Sequence, residues 1–345
     1  MTQNSPYKRF FVPRSREEEE EEERIYKRYE EIVAKLPTTE EGWSGNPVYQ
    51  YQGFWYSPEI CVGTLAVQDH FKAQPSDILI ASPPKCGFTW LQSLAFAVMN
   101  REFHHPSAHS HPLLTFNSHD LVPTMEIRLY NNHFNGNRIP NLEILPSPRL
   151  FGTHMPYTSL PQSLAHNSES RVIYICRNVK DTIVSWWHFV NKVRSSNPSL
   201  ELIKLDYIFE LFCKGISAFG PFWDHVLGYW NASLERPQNV LFLKYDEMVT
   251  EPVLHLKRIA EFMGSPFSSK EEREGAIDQI IKLCSFENLS NLDVNKTGIN
   301  SPGIMNSVFF RKGKVGDSTN YLTPEMMEQL DHITQQKLHG SGLKL

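Results

Sequence analysis

Lys85 and Gly87 stand between an apolar run, Ile78 to Ala81, and a stretch whose Trp90, Leu91, Leu94, Ala97 and Val98 recur at helical spacing. The spacing predicts a strand, a tight loop through Ser82, Pro83 and Pro84, and a helix, all within Asp77 to Arg101. Such a loop can turn its backbone N–H groups and the helix N-terminus toward one spot, where the helix macrodipole and the Lys85 ammonium both favour an anion. An oxyanion cradle is the chemistry this implies. An ordinary strand-to-helix turn with an exposed lysine is the plainer alternative.

Three further stretches carry groups of the same kind. In RVIYICRNVKDTIVSWWHF, Arg177 follows an apolar run and Ser185 lies eight residues on, so a strand end and the next helix can offer a guanidinium and a hydroxyl to one phosphate. Arg177 can equally serve as a structural partner of Asp181. In FFRKGKVGDSTNYL, Arg311, Lys312 and Gly313 open a basic loop that lets the backbone approach a phosphate closely, or that is simply solvated. In RLFGTHMPYTSLP, His154 sits directly after a short strand, where a histidine is either structural or a general base.

The elements that must position these residues are strand-like runs at 78–81, 149–152, 171–176 and 240–243, alternating with helical patterns. The clearest are VKDTIVSWWHFVNKVR, LDYIFELFCKGISAFGPFWDHVLGYW, EPVLHLKRIAEFM and a last helix from Pro324; another helix is expected over 121–129. Alternation of this kind predicts an α/β fold, a central parallel sheet with helices on both faces and ligands at the strands' carboxyl ends. The aromatic string YQGFWY, with Tyr51, Phe54, Trp55 and Tyr56, either packs on the core or walls an apolar pocket.

A chain of 345 residues, 40% hydrophobic and carrying a net charge of −5, has material for a large core and lacks the basic excess of a nucleic-acid binder. Cys61, Cys86, Cys176, Cys213 and Cys284 show no C-x-x-C spacing, which suits a reducing compartment. Neither a signal peptide nor a membrane-length apolar run is present, so a cytoplasmic protein is expected. His104, His105, His109 and His111 fit no metal-ligand spacing and are expected on a surface loop. The glutamate run from Glu17 to Glu23 is expected to be a disordered acidic tail, residues 1–24, leading into an amphipathic helix.

The cradle lacks G-x-x-x-x-G-K-[ST], so it is no Walker A loop, and a magnesium-dependent kinase is disfavoured. The order P-K-x-G-x-T-W, the segment R-N-x-K-D-x-x-x-S-x-x-x-F, the T-H-x-P turn and R-K-G-x-x-G-D together resemble the cytosolic sulfotransferases of plant type. The resemblance covers roughly 42–338 and implies a P-loop-like three-layer fold, with 25–345 a single sulfotransferase domain. It also implies 3′-phosphoadenosine 5′-phosphosulfate (PAPS) as sulfuryl donor, no metal, and a small, largely apolar hydroxylated acceptor of the flavonoid, steroid, hydroxyjasmonate or desulfoglucosinolate class. A catalytically weak nucleotide-binding relative is the alternative.

By that resemblance His154 is the general base, Lys85 stabilises the bridging oxygen, and Ser185 holds Lys85 and touches the 3′-phosphate. Loop amides of Cys86 to Thr89 cradle the 5′-phosphate, while Arg177, Arg311, Lys312 and Gly313 serve the 3′-phosphate. Trp90 and Phe286 sandwich adenine, and Tyr245, Cys284 and Ser285 border the nucleotide. Cys86 and Phe88 replace small hydroxyl residues usual in the family, and Ser318 replaces a tryptophan, so weakened nucleotide affinity is expected. Cys86, at a helix N-terminus beside Lys85, is further expected to have a stabilised, oxidisable thiolate. Pro324 stands where animal members carry a dimer-motif valine, which implies a monomer or weak dimer.

Overall fold

The computed structural model describes residues 10–43, 45–165, 169–300 and 303–345. Its strands are β1 (Thr38–Thr39), β2 (Val48–Tyr51), β3 (Phe54–Tyr56), β4 (Ile78–Ala81), β5 (Leu150–Thr153), β6 (Arg171–Cys176) and β7 (Val240–Lys244). The longer helices are α1 (Arg16–Val33), α2 (Pro58–His70), α3 (Phe88–Asn100), α4 (Val179–Arg194), α5 (Leu205–Cys213), α6 (Phe222–Glu235), α7 (Pro252–Phe262), α8 (Ala276–Leu283) and α9 (Pro324–Leu338). Strands β4 to β7 form a parallel sheet in the order β5-β4-β6-β7, and β1 to β3 form a small antiparallel one.

Because side chains alternate along a strand, the two faces of the parallel sheet build separate cores. Ile78, Ile80, Ile173, Ile175 and Leu243 pack with α3, α7 and α8. Leu79, Ala81, Val172, Tyr174 and Cys176 pack with α1, α2, α4, α5, α6 and α9 on the opposite face. This is the three-layer α/β arrangement expected. From β4 the chain reaches β5 on one side and β6 on the other, so the crevice at the carboxyl end of β4 is a topological switch point.

Four expectations change. The acidic run is helical: Ser15 caps α1 through a capping box with Glu18, and buried Tyr26, Tyr29 and Val33 hold the helix on the core. Residues 1–9 of the expected tail lie outside the described residues. The long pattern from Leu205 splits into α5 and α6, because Gly215 takes a left-handed φ of 81° and Pro221, which has no N–H, starts a new helix. The helix expected over 121–129 is reduced to single turns, Ser118–Leu121 and Met125–Leu129, on either side of Pro123. The histidine tract is a loop, but His111 is fully buried, its Nδ1 accepting from the Leu113 N–H. The YQGFWY string is the β2–β3 hairpin, with Phe54 and Tyr56 buried in the core.

The sheet's amino-terminal edge is fastened by an ion pair that is almost wholly buried. Arg149 Nε donates to Asp77 Oδ1 at 2.7 Å and its Nη2 donates to Oδ2, joining the residues before β5 and β4. Asp77 Oδ2 also accepts from the Gln74 N–H at 2.8 Å. Removing the carboxylate strands a buried guanidinium, so Asp77→Ala should cost about 3–5 kcal/mol, read as a lower urea midpoint. An unchanged midpoint would show that the pair does not hold the sheet.

Candidate active site

Each of the four parallel strands delivers a candidate residue at its carboxyl end: the 82–87 loop after β4, His154 after β5, Arg177 after β6 and Tyr245 after β7. Parallel register sets them side by side, with Ala81 opposite both Thr153 and Tyr174, and Cys176 opposite Lys244.

The loop after β4 is bent by two left-handed residues, Lys85 at φ 70° and Gly87 at φ 99°. Gly87 is the N-cap of α3 and supplies no side-chain bond, so the first N–H groups of this helix remain available to an anion. A Cβ on Gly87 would lie 2.6 Å from the Tyr245 ring, which fixes glycine there on steric grounds as well. Strain at a non-glycine residue such as Lys85 marks a position whose side-chain direction matters. Its Nζ lies 4.4 Å from the centre of the Phe189 ring, on the same helix as Ser185. Burial, and then the charges of Arg311, Arg177 and Lys192, push the Lys85 ammonium down to about 7. The expected Lys85–Ser185 hydrogen bond is not formed among the described residues; Phe189, one turn further along α4, is the lysine's neighbour instead.

The two guanidinium groups are each half satisfied. Arg177 Nη2 donates to Asp181 Oδ2 at 3.0 Å and to the Lys314 carbonyl at 2.6 Å, and the group stacks on Tyr245 at 4.7 Å. Arg311 Nη1 donates to Asp317, whose other oxygen accepts from Lys312 Nζ at 2.8 Å. The Nε of both arginines is buried without a partner. Orphaned charged donors of this kind are rare, and an anion such as a 3′-phosphate would satisfy them. Asp181 is a junction the sequence did not single out for this role: it also accepts from the backbone N–H groups of Gly316 at 2.7 Å and Ser318 at 2.9 Å. Burial opposes its ionisation, but Arg177 and the two amides outweigh that and hold its carboxyl below the usual range.

The three departures acquire physical reasons. Cys86 points away from the cradle, its Sγ 3.6 Å from Thr182 Oγ1, whose proton is already given to the Asn178 carbonyl, so the thiol is the donor. Burial pushes this thiol up to about 12, which corrects the expectation of a stabilised, oxidisable thiolate. Phe88 is buried with its ring centre 4.3 Å from that of His154 and contributes only its backbone to the loop. Ser318 is buried and uses its amide to bind Asp181.

His154 is partly buried, with its Nδ1 2.8 Å from the Ser82 carbonyl. A carbonyl only accepts, so Nδ1 carries the proton and Nε2 keeps a free lone pair. Burial, partly offset by that bond, pushes the imidazole down to about 4, so it is neutral at pH 7. Phe219, at 5.6 Å between ring centres, flanks it on another side. His119, absent from the sequence-derived set, joins the site through a 3.0 Å contact of its Nε2 with Thr89 Oγ1 and a ring contact with Phe309 at 4.3 Å. Its signal in sequence was hidden among five histidines in one loop region.

At the adenine end, Trp90 meets Tyr245 edge-on at 5.7 Å, while Phe286 is exposed and close enough to Gly313 that a Cβ there would fall 2.5 Å from its ring. Gly313 has φ 63°, so the basic loop is pressed onto Phe286 by a residue without a side chain. Cys284 is fully buried with its thiol pushed up by burial, and Ser285 caps the helix that carries Phe286 by accepting from the Asn288 N–H. Cys284 is thus packed inside the protein, and the Ser285 hydroxyl is engaged at the start of the helix that carries Phe286. Among the described residues no group of three potential metal ligands clusters.

A parallel sheet with an anion cradle at its switch point defines the class: a P-loop-like nucleotide-binding α/β protein. The family model described as Sulfotransferase domain matches residues 75–342. Cytosolic sulfotransferase 5 of Arabidopsis thaliana is 47% identical over 314 residues, 91% of this chain and 95% of that one. A solved Arabidopsis thaliana sulphotransferase is 36% identical, with a TM-score of 0.70 over 91% of this chain and 94% of that one. A mouse sulfotransferase complexed with PAP, 27% identical, has a TM-score of 0.63 over 85% and 95%. The chain belongs to the cytosolic sulfotransferases of plant type. It is a PAPS-dependent enzyme.

Lys85 supplies a test of the cradle. A polyanion beside it must raise its pKa from about 7, so above that pH binding of 3′,5′-adenosine bisphosphate (PAP) takes up a proton and weakens as pH rises. Calorimetry at pH 8 in buffers of different ionisation enthalpy should show uptake that Lys85→Met abolishes. Identical enthalpies in all buffers would place Lys85 outside the anion site.

Proposed function

We propose that the residues gathered at the switch point carry out sulfuryl transfer to a hydroxyl of a small, largely apolar acceptor, with His154 as the general base. The observation that carries the reading is the bond from His154 Nδ1–H to the Ser82 carbonyl, which leaves Nε2 as acceptor beside the Lys85 loop. The donor supplies the sulfuryl group. His154 Nε2 takes the acceptor's proton as its oxygen attacks in line, and the Lys85 ammonium answers the charge that develops on the leaving phosphate. Ser185, buried on the face of α4 that carries Phe189, stands where it can turn towards Lys85 once an anion draws the lysine off the ring. Arg177, Arg311, Lys312 and the Gly313 amide hold the 3′-phosphate, Cys86 to Thr89 the 5′-phosphate, and Trp90 with Phe286 the adenine, beside Tyr245.

Apolar walls support the acceptor class. Phe88 and Phe219 flank His154, and a small, mostly apolar cleft next to the loop is walled by Pro83, Trp186, Phe212 and Phe222, with Thr182 and Ser217 as its polar members. Flavonoid, steroid, hydroxyjasmonate and desulfoglucosinolate cores all suit walls of that kind. Pro324, the first residue of α9 and capped by Thr323, stands in place of the dimer-motif valine of animal members, which supports a monomer or weak dimer.

His154→Ala should lose nearly all turnover, ~10²- to 10⁴-fold, while PAP binds as before in calorimetry. Turnover close to wild type would remove His154 from the mechanism. Because charge-assisted hydrogen bonds contribute about 1.5–3 kcal/mol each, adenosine 5′-phosphosulfate should be used ~10²-fold less efficiently than PAPS. Arg311→Ala should shrink that gap; equal kcat/KM for the two donors in the wild type would dismiss the 3′-phosphate assignment.

A further inference from the structure

One buried acid next to His154 is used by none of the roles above. Glu126, on the turn Met125–Leu129 beside β5, is completely buried. Its Oε1 accepts from the backbone N–H of His154 at 2.7 Å, and its Oε2 accepts from Thr153 Oγ1 at 2.9 Å. Thr153 Oγ1 accepts in turn from the Met155 N–H at 3.0 Å. A single carboxylate therefore orders three consecutive residues of the turn that presents the imidazole. Its charge is answered by these donors and its own backbone N–H, with no cation paired to it among the described residues, and burial pushes the carboxyl up to about 7. A buried carboxylate without a cationic partner is costly to keep, and apolar packing of equal size would be the stable alternative.

The far side of the same turn is held by neutral groups. His225 Nε2 donates to the His154 carbonyl at 2.9 Å, its Nδ1 accepting from Tyr174 Oη at 3.0 Å, and Tyr229 Oη donates to the Met155 carbonyl at 2.7 Å. With the peptide pinned on both sides, the ring can turn only about its own side-chain bonds, and the Ser82 carbonyl fixes that remaining freedom. Displacing a general base by ~1 Å costs on the order of 10²-fold in rate.

We propose that Glu126 is a positioning residue for sulfuryl transfer, holding the 153–155 turn so that His154 Nε2 meets the acceptor hydroxyl. The proposal rests on His154 as base, and the experiment separates the two. Glu126→Ala removes both acceptors. Glu126→Gln keeps an acceptor for the His154 N–H but reverses the Thr153 contact, so it retains the bond to the His154 peptide without the charge.

The experiment measures kcat, KM for PAPS and PAP affinity for Glu126→Ala, Glu126→Gln, His154→Ala and the double variant Glu126→Ala/His154→Ala, with labelled donor to follow residual turnover. The expected result is a kcat lower by ~10- to 10²-fold in Glu126→Ala, recovered at least in large part by Glu126→Gln. KM for PAPS and PAP affinity stay within twofold. In the double variant, adding the alanine at 126 to His154→Ala costs nothing more, because a positioning residue has no effect once the group it positions is gone. A full kcat in Glu126→Ala, a matching loss of PAP affinity, or a further loss on top of His154→Ala would overturn the proposal. If Glu126→Ala fails to fold, Thr153→Val, which removes the hydroxyl linking Glu126 to the Met155 N–H, takes its place: a lower kcat with KM for PAPS and PAP affinity unchanged is expected, and an unchanged kcat or a matching loss of PAP affinity overturns the proposal. A His154→Ala that retains wild-type turnover sinks the base assignment itself, and is read independently of any variant at 126.

Discussion

The Asp181 carboxylate decides how so many cations can share one site. Four cations, Lys85, Arg177, Lys192 and Arg311, share one region; burial first, and then the other three charges, push the lysine's ammonium down, and like charges repel strongly in a partly dry environment. Asp181 neutralises Arg177 and, through the amides of Gly316 and Ser318, ties the basic loop to the start of α4. Asp317 does the same for Arg311 and Lys312 within the loop. Both arginines still keep one buried donor unmet. The protein thus tolerates its own positive charge by pairing part of it with Asp181 and Asp317 and leaves one buried donor on each arginine open.

What positions the site was largely legible. Parallel strands read as short apolar runs and were found within a residue or two of their places, as was α4 over its full length. Periodicity works there because burial on both faces of the sheet leaves no polar register to confuse it. Local chemistry overrode periodicity in two places: glycine and proline cut the pattern after Cys213, and a capping box turned the glutamate run into a helix whose packed face lies further along the chain. A run of like charges says how a segment interacts with water, and it does not by itself exclude a helix when one stripe can be buried.

The site residues that stayed hidden share one property: their partners are remote in sequence. Glu126 meets His154 across 28 residues and Asp181 meets Gly316 across 135, so no local motif contains either pair. Arg177 had been left between two roles, phosphate ligand or partner of Asp181, and its geometry accommodates both, with Nη2 engaged and Nε unmet. Residue type alone does not say where the Cys86 and Phe88 side chains point. Once Cys86 turns to Thr182 and Phe88 to His154, the loop keeps every backbone donor.

The ring of Phe88 can lie behind the imidazole only because Gly152, on the neighbouring strand, has no side chain: a Cβ there would stand 2.6 Å from Cζ of that ring and 3.0 Å from Gln92 Nε2. Positions 88 and 152 are consequently coupled by sterics. A larger residue at 152 demands a smaller one at 88, and a smaller one at 88 leaves a void beside the base that water could enter. Anyone altering this enzyme's loop toward the hydroxyl residues more usual at position 88 would have to rebuild the strand next to it in the same step.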